Sequence, residues 1–205
     1  MIVEVIKENY CNTYFVGNEK EFIIIDPSID IRSIEFMIKK KFSGSLLKGI
    51  FLTHGHFDHI CTLPLINKKY DVPVFVHKND LSKINDINLS CATYFGVTKL
   101  NEISNLRKLQ EVTLYETFKI KMIHTPGHTN GSVCYLIDDY LFSGDTLFNN
   151  AVGRTDLLTS SEQQLKESII HLMKLDPKLI VYPGHGKSST ILNEKENNYY
   201  YKMIK

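Results

Sequence analysis

The sequence pattern predicts an α/β fold with mixed sheets, and its two halves suggest a four-layer αββα sandwich. Two observations lead there. The order of elements is strands, helix, strand, helix, and then the same series again, so each half is mostly sheet with covering helices. The 205 residues suffice for one domain with a large core, and no linker, low-complexity segment or repeat interrupts them, so residues 1–205 read as a single domain.

Residues 2–7 and 13–17 read as strands around a turn at Glu8 to Asn12. Phe22 to Ile25 is a short buried strand ending in Asp26-Pro27-Ser28. Ile31, Ile34, Met37 and Ile38 recur at helical spacing, which predicts an amphipathic helix over Ile31 to Phe42 that Gly44 closes. Leu47 to Leu52 is the next strand. Ile60 to Lys69 is predicted as a helix that tolerates Pro64 in its first turns. Val74 to Val76 is a strand and Asn79 to Ile84 a short helix. Residues 85–108 carry no clear pattern and read either as a flap or as a surface excursion. Strands follow at Glu111 to Leu114, Phe118 to Ile123, Val133 to Ile137 and Leu141 to Ser143, with Asp138-Asp139 as the turn between the last two. Ser161 suits the N-cap of a helix to Lys174 whose apolar face is Leu165, Ile169, Leu172 and Met173. Leu179 to Tyr182 is a strand, and the tail from Ile191 is helical, with Tyr199 to Tyr201 as its packing face.

Bulk properties exclude several classes. A formal net charge of +1 with no long run of one sign argues against a dedicated nucleic-acid surface. No apolar run approaches the roughly 18 residues of a membrane helix. The N-terminus alternates like a strand rather than showing a basic region and an apolar core, so it does not read as a signal peptide. The four cysteines are widely spaced and lack a Cys-x-x-Cys pair, which suits reduced thiols and a cytoplasmic location.

Thr53-His54-Gly55-His56-Phe57-Asp58-His59 is the stretch that carries chemistry. Along an extended chain His54 and His56 fall on one side, while Asp58 and His59 lie where the chain enters the next helix. One short loop thus offers ligands to two adjacent cations; read alone, it is also compatible with a polar turn holding incidental histidines. Three further clusters carry ligand types: His124-Thr-Pro-Gly-His128-Thr129, Ser143-Gly-Asp145-Thr-Leu-Phe148 and Tyr182-Pro-Gly-His185-Gly186.

Together these motifs resemble the metal signature of the metallo-β-lactamase superfamily, whose architecture is the same αββα sandwich. The resemblance implies His54, His56 and His128 on one metal, Asp58, His59 and His185 on a second, and Asp145 shared between them. Two divalent ions are implied, Zn²⁺ first, with Fe and Mn compatible with the same donors. A pair of cations lowers the pKa of a shared water and polarises a carbonyl, and Asp58 is the expected catalytic residue that orients the attacking oxygen. His124 is expected beside the site or in packing rather than as a ligand, and His77 and His171 as structural or surface residues. Cys61 reads as a small buried residue, with an inhibitory thiolate as the alternative.

Gly153-Arg154-Thr155-Asp156-Leu157, with Pro183-Gly-His-Gly186 and Asn193 to Asn197, resembles short bacterial glyoxalase II-like hydrolases. This implies hydrolysis of an acyl-thiol such as S-lactoylglutathione, with a small-molecule thioester as partner and Arg154 as a cationic contact to it. An internal ion pair of Arg154 with Asp156 is the alternative. Full-length glyoxalase II enzymes carry a further C-terminal helical region that holds glutathione, whereas this chain ends about twenty residues after His185, leaving other thiol carriers open. The rival expectations on the same scaffold are a mono-iron persulfide dioxygenase and a hydrolase of another ester, amide or phosphodiester. A non-catalytic binding module would be expected to have lost ligands.

Overall fold

Apolar strands pair into two six-stranded mixed sheets in a computed structural model that describes residues 1–8 and 10–205. The chain divides into two units, one of Met1–Leu109 with Tyr115–Phe118 and the other of Gln110–Leu114 with Lys119–Lys205.

In the first unit, β1 (Ile2–Glu8), β2 (Cys11–Gly17) and β3 (Glu21–Ile25) form an antiparallel meander. The two strands of the first hairpin run further than the sequence suggests, since Glu8 pairs with Cys11. The expected turn over Glu8 to Asn12 includes Asn9, which lies outside the described residues. Helix α1 (Ile31–Lys41) starts where the Asp30 carboxylate accepts the Arg32 N–H, and Lys39 to Lys41 sit in its last turn, opposite the helix dipole. It leads into β4 (Leu46–Phe51), parallel to β3. Every residue of β2 and β3 is buried, as expected of strands in the middle of a sheet.

The helix expected over Ile60 to Lys69 is two pieces, α2 (Phe57–Ile60) and α3 (Leu63–Tyr70). Thr62 causes the break: its N–H bonds the Pro27 carbonyl at 3.3 Å and its hydroxyl bonds that of Ile29 at 2.5 Å. Pro64, without an N–H, then sits at the start of α3, where none is needed. The helix expected over Asn79 to Ile84 is instead two 3₁₀ turns, Lys78–Asp80 and Lys83–Asn85. β5 (Val74–Val76) is as expected, and residues 85–108 wind through a further 3₁₀ turn into β6 (Leu106–Lys108), which extends the sheet parallel to β5. Phe15, Phe22, Ile24, Ile34, Ile50 and Leu63 are central to this unit's core.

The second unit begins with β7 (Val112–Leu114) and β8 (Lys119–His124), then β9 (Val133–Ile137) and β10 (Tyr140–Gly144), each antiparallel to the one before it. Asp138, with φ +50°, makes the hairpin turn expected at Asp138-Asp139. A two-stranded ribbon, β11 (Leu147–Phe148) and β12 (Ala151–Val152), was not anticipated from the sequence. Helix α4 (Glu162–Leu172) is capped by Ser161, which accepts the Gln164 N–H, and buries Leu165, Ile169 and Leu172. β13 (Ile180–Pro183) lies parallel to β10, and the short β14 (Ser189–Thr190) forms the edge. The tail is α5 (Ile191–Asn197) and α6 (Tyr199–Ile204); Tyr200 and Tyr201 pack on the core, while Tyr199 is exposed.

The Asn193 to Asn197 stretch turns out to be a clamp. Glu194 is fully buried, and its carboxylate accepts the Asn150 N–H at 2.9 Å, the Asn198 amide at 2.8 Å, the Asn193 amide and the Ser189 hydroxyl. Asn198 also donates to the Ala151 carbonyl. The tail thereby fixes the turn of the β11–β12 ribbon. Glu194→Ala would strand several buried donors, at about 1–3 kcal/mol for each that water cannot reach. Urea unfolding of Glu194→Ala should show a loss of roughly 2–4 kcal/mol, with Glu194→Gln retaining most of the difference.

Candidate metal centre

In the first unit, the ligand loop is held from behind by Asp26. This residue ends β3 with φ +50°, a left-handed conformation that Asp tolerates better than most residues, and its side chain is buried. Asp26 Oδ1 accepts the Thr53 N–H at 2.8 Å, and Oδ2 accepts the Thr53 hydroxyl at 2.6 Å. Oδ2 also lies 2.9 Å from His59 Nδ1. A carboxylate only accepts, so His59 Nδ1 carries the proton and Nε2 keeps its lone pair. Because the Thr53 hydroxyl spends its proton on Asp26, it accepts from His54 Nδ1 at 3.1 Å, which fixes the same tautomer there.

The rest of the loop is pinned by backbone contacts. Gly55 N–H donates to Asp80 Oδ2 at 2.8 Å, and the other Asp80 oxygen meets Lys83 Nζ at 3.1 Å in a fully buried ion pair. A Cβ at Gly55 would come within 2.8 Å of Lys83 Cβ, so only glycine allows this approach. Phe57 N–H bonds the Ser90 carbonyl at 2.8 Å. The His54 and His56 rings stand 4.7 Å apart, those of His54 and His59 4.2 Å, and Asp58 Oδ2 is 3.8 Å from His59 Nε2. His54, His56 and His59 are buried, whereas the Asp58 side chain is one-fifth exposed.

In the second unit, His128, Asp145 and His185 come together. His128 follows Gly127, whose φ is +146° and whose missing Cβ would fall 2.4 Å from the Leu165 backbone. The turn is therefore pressed against the start of α4, where Ser161 N–H bonds the Gly127 carbonyl at 2.8 Å. His128 Nδ1 donates to the Arg154 carbonyl at 2.9 Å, which again puts the ring proton on Nδ1 and the lone pair on Nε2. Asp145, at the end of β10, has Oδ2 3.6 Å from His128 Nε2 and 3.4 Å from His185 Nε2. Gly153 makes this packing possible: a Cβ there would lie 1.8 Å from the Asp145 carbonyl oxygen and 3.3 Å from His128 Cβ.

These donor sets fit divalent metal. Ligands at about 2.0–2.2 Å around a tetrahedral ion stand roughly 3.4 Å from one another, close to the Asp145 to His185 separation of 3.4 Å. Three histidines have Nδ1 tied to an acceptor or hydroxyl, the arrangement by which proteins orient imidazole toward a metal. Asp26, Thr53 and the Arg154 carbonyl belong to that support and were missed from sequence. Their signals were faint: an Asp-Pro pair closing an apolar strand, and a threonine heading the histidine loop.

The remaining candidates resolve as follows. His124 is exposed, and its Nε2 meets the Asn130 carbonyl at 3.1 Å, closing the turn rather than packing inside it. His77 is buried and caps a 3₁₀ turn, and His171 is exposed on α4. Cys61 is partly exposed rather than buried; its thiol lies 3.4 Å from the Ser28 carbonyl, and burial raises its pKa. The Arg154 guanidinium makes two bonds to Asp156, of 2.6 and 2.7 Å, the ion pair that the sequence left as an alternative to a substrate contact. It holds the Asp156 carboxyl down to about 2.

Fold and donor sets support a metal-dependent hydrolase. Residues 6–185 match the model of the metallo-beta-lactamase superfamily, and the chain belongs to that family. The probable metallo-hydrolase YqgX of Bacillus subtilis (strain 168) is 33% identical, over 91% of this chain and 90% of its own length. The crystal structure of the BLEG-1 B3 metallo-beta-lactamase superposes with a TM-score of 0.89 at 30% identity, covering 98% of this chain and 99% of that one. TTHA1623, solved in a di-iron-bound form, gives 0.85 at 29% identity over 98% and 100% of the two chains. The fold is thus the one the motifs implied.

Asp26→Asn keeps the shape but replaces a pure acceptor by an amide, disturbing the His59 proton and its aim. Metal titration followed by calorimetry should show affinity falling about 10–100-fold, with a smaller change in apo-protein stability. Equal affinity in both proteins would remove Asp26 from the metal support.

Proposed function

We propose that this protein is a dinuclear metal-dependent thioester hydrolase, with residues 1–205 acting as one hydrolase domain. The observation that carries the reading is the pair of pre-oriented donor sets, one on each unit. His54, His56 and His128 would hold one cation, Asp58, His59 and His185 the other, and Asp145 would serve both. Zn²⁺ is the first expectation from nitrogen and carboxylate donors, and the di-iron form of TTHA1623 supports iron as the second. Bound cations would activate water and polarise a carbonyl.

The chain's own residues supply orientation. The Asp58 carboxylate, partly exposed at the start of α2, would help hold a cation and orient the attacking water. The buried histidines keep competing water away from the donors. A thiolate leaving group, whose thiol has a pKa near about 8.5, departs without a strong general acid, and none is evident among the described residues. This favours thioesters, S-lactoylglutathione or a related acyl-thiol, over amides. Arg154 is the proposed contact to an anionic carrier; Asp156 neutralises it at rest, so such a substrate must displace that carboxylate.

Purified protein reconstituted with Zn²⁺ or Fe²⁺ should bind close to two ions per chain by elemental analysis and hydrolyse members of a thioester panel. Asp58→Ala should lower kcat at least about a hundredfold while the fold is retained. One iron per chain with oxygen uptake on a persulfide would replace the hydrolase reading by a dioxygenase.

The Arg154 contact has its own test. Arg154→Ala should raise KM for an anionic thioester and leave a neutral one nearly unchanged, and Asp156→Asn, which releases the guanidinium, should lower KM for the anionic one. Equal losses on both substrates, together with a lower melting temperature, would assign the pair to structure alone.

A further inference from the structure

His185 is the least enclosed of the candidate donors in the second unit. Its side chain is 37% exposed, against 3% for His128 and 10% for Asp145. Burial does less to aim this ring, so the groups that flank it matter more. The β11–β12 ribbon is one of them. The Phe148 ring stands edge-on to the His185 ring, with centroids 6.0 Å apart and planes at 70°. Next along the ribbon, Asn149 Nδ2 donates to the Ser188 carbonyl at 3.3 Å, which ties the ribbon's turn to the loop that carries His185. The base of the same ribbon serves the other two donors. It leaves Asp145 through Thr146 and returns at Gly153 and Arg154, where Gly153 packs on Asp145 and the Arg154 carbonyl accepts the His128 Nδ1 proton.

Strands of two residues cannot hold this shape by their own pairing. The turn, with Asn150 left-handed at φ +58°, is fixed from outside by Glu194. One Glu194 oxygen accepts the Asn150 N–H and the Asn198 amide, and the other accepts the Ser189 hydroxyl just beyond the His185 loop. The carboxylate therefore grips the ribbon and the end of the His185 loop together. It is fully buried, and those donors are what make its burial tolerable, so it cannot shift without stranding them. We propose that Glu194 is a positioning residue for the metal centre: it acts through the ribbon, on His185 by way of Phe148 and Asn149 and on His128 and Asp145 by way of Arg154 and Gly153. Helix α5 is thereby part of the metal support. The assignment rests on the metal reading of the donors and on no choice of substrate.

The test is Zn²⁺ affinity, measured by calorimetric titration against a competing chelator, with the visible spectrum of the Co²⁺-loaded protein as a second readout. The variants are Glu194→Ala, Phe148→Leu and Ile137→Ala. Ile137 is the control: it is fully buried in the same unit but pairs with Tyr140, at the end of β10 away from Asp145. Glu194→Ala should lower affinity at least about tenfold, as loss of ligand support does, and Phe148→Leu should lower it by a smaller factor while melting near the wild type. Ile137→Ala should melt lower, through its cavity, yet keep affinity within about twofold. The Co²⁺ spectrum should change in the first two variants and not in the third. Phe148 is only half-buried, so Phe148→Leu gives the answer even where Glu194→Ala does not fold. Wild-type affinity and spectra in both ribbon variants, or an equal loss of affinity in Ile137→Ala, would overturn the role of Glu194 while leaving the metal centre in place. A wild type that binds no ion would overturn the metal reading and this role together.

Discussion

A single buried carboxylate sets the geometry of the first ligand group. Asp26 uses both oxygens, on the Thr53 amide, the Thr53 hydroxyl and the His59 ring, and thereby joins the end of β3 to the loop after β4 and to α2. A buried anion is tolerated only where hydrogen bonds repay its lost hydration, and here the donors are the residues that must be aimed. The left-handed backbone at Asp26 is the local cost of turning the side chain toward the loop. Because β3 and β4 are parallel and in register through Ile25 and Phe51, the sheet itself delivers Asp26 beside the loop. Sheet pairing thus comes first, and ligand orientation follows from it.

Much of this was legible beforehand. Strands and longer helices declared themselves by periodicity, and the candidate histidine and aspartate donors by their density in short motifs. What escaped was set by contacts distant in sequence. Nothing local reveals that Thr62 will be captured by the carbonyls of Pro27 and Ile29 and so break a helix in two. The ribbon at Leu147–Phe148 and Ala151–Val152 has strands of two residues, too short for any periodic signal, and it depends on Glu194 far along the chain. Residues 85–108 lack pattern because their order comes from hydrogen bonds onto α2 and β5, including an edge strand of three residues.

The two ligand groups are each prepared within their own unit. His54 and His59 are oriented by Thr53 and Asp26, and His128 by the Arg154 carbonyl. Potential competitors are kept quiet at the same time. The buried thiols of Cys11 and Cys134 are pushed up to about 11 and about 12 by desolvation, so neither offers a thiolate to a soft metal near neutral pH.

Arg154 serves the protein through two chemically separate ends. Its main-chain carbonyl aims His128, while its side chain reaches outward to Asp156. A carbonyl is the same whatever side chain follows it, so His128 is indifferent to which residue stands at this position. Gly153 beside it has no such freedom, since any Cβ would strike the Asp145 backbone. Neighbouring positions in one loop thus differ sharply in their evolutionary latitude. One is frozen by sterics, and the other is open to whatever charge or shape a new substrate rewards, with the metal site inherited intact.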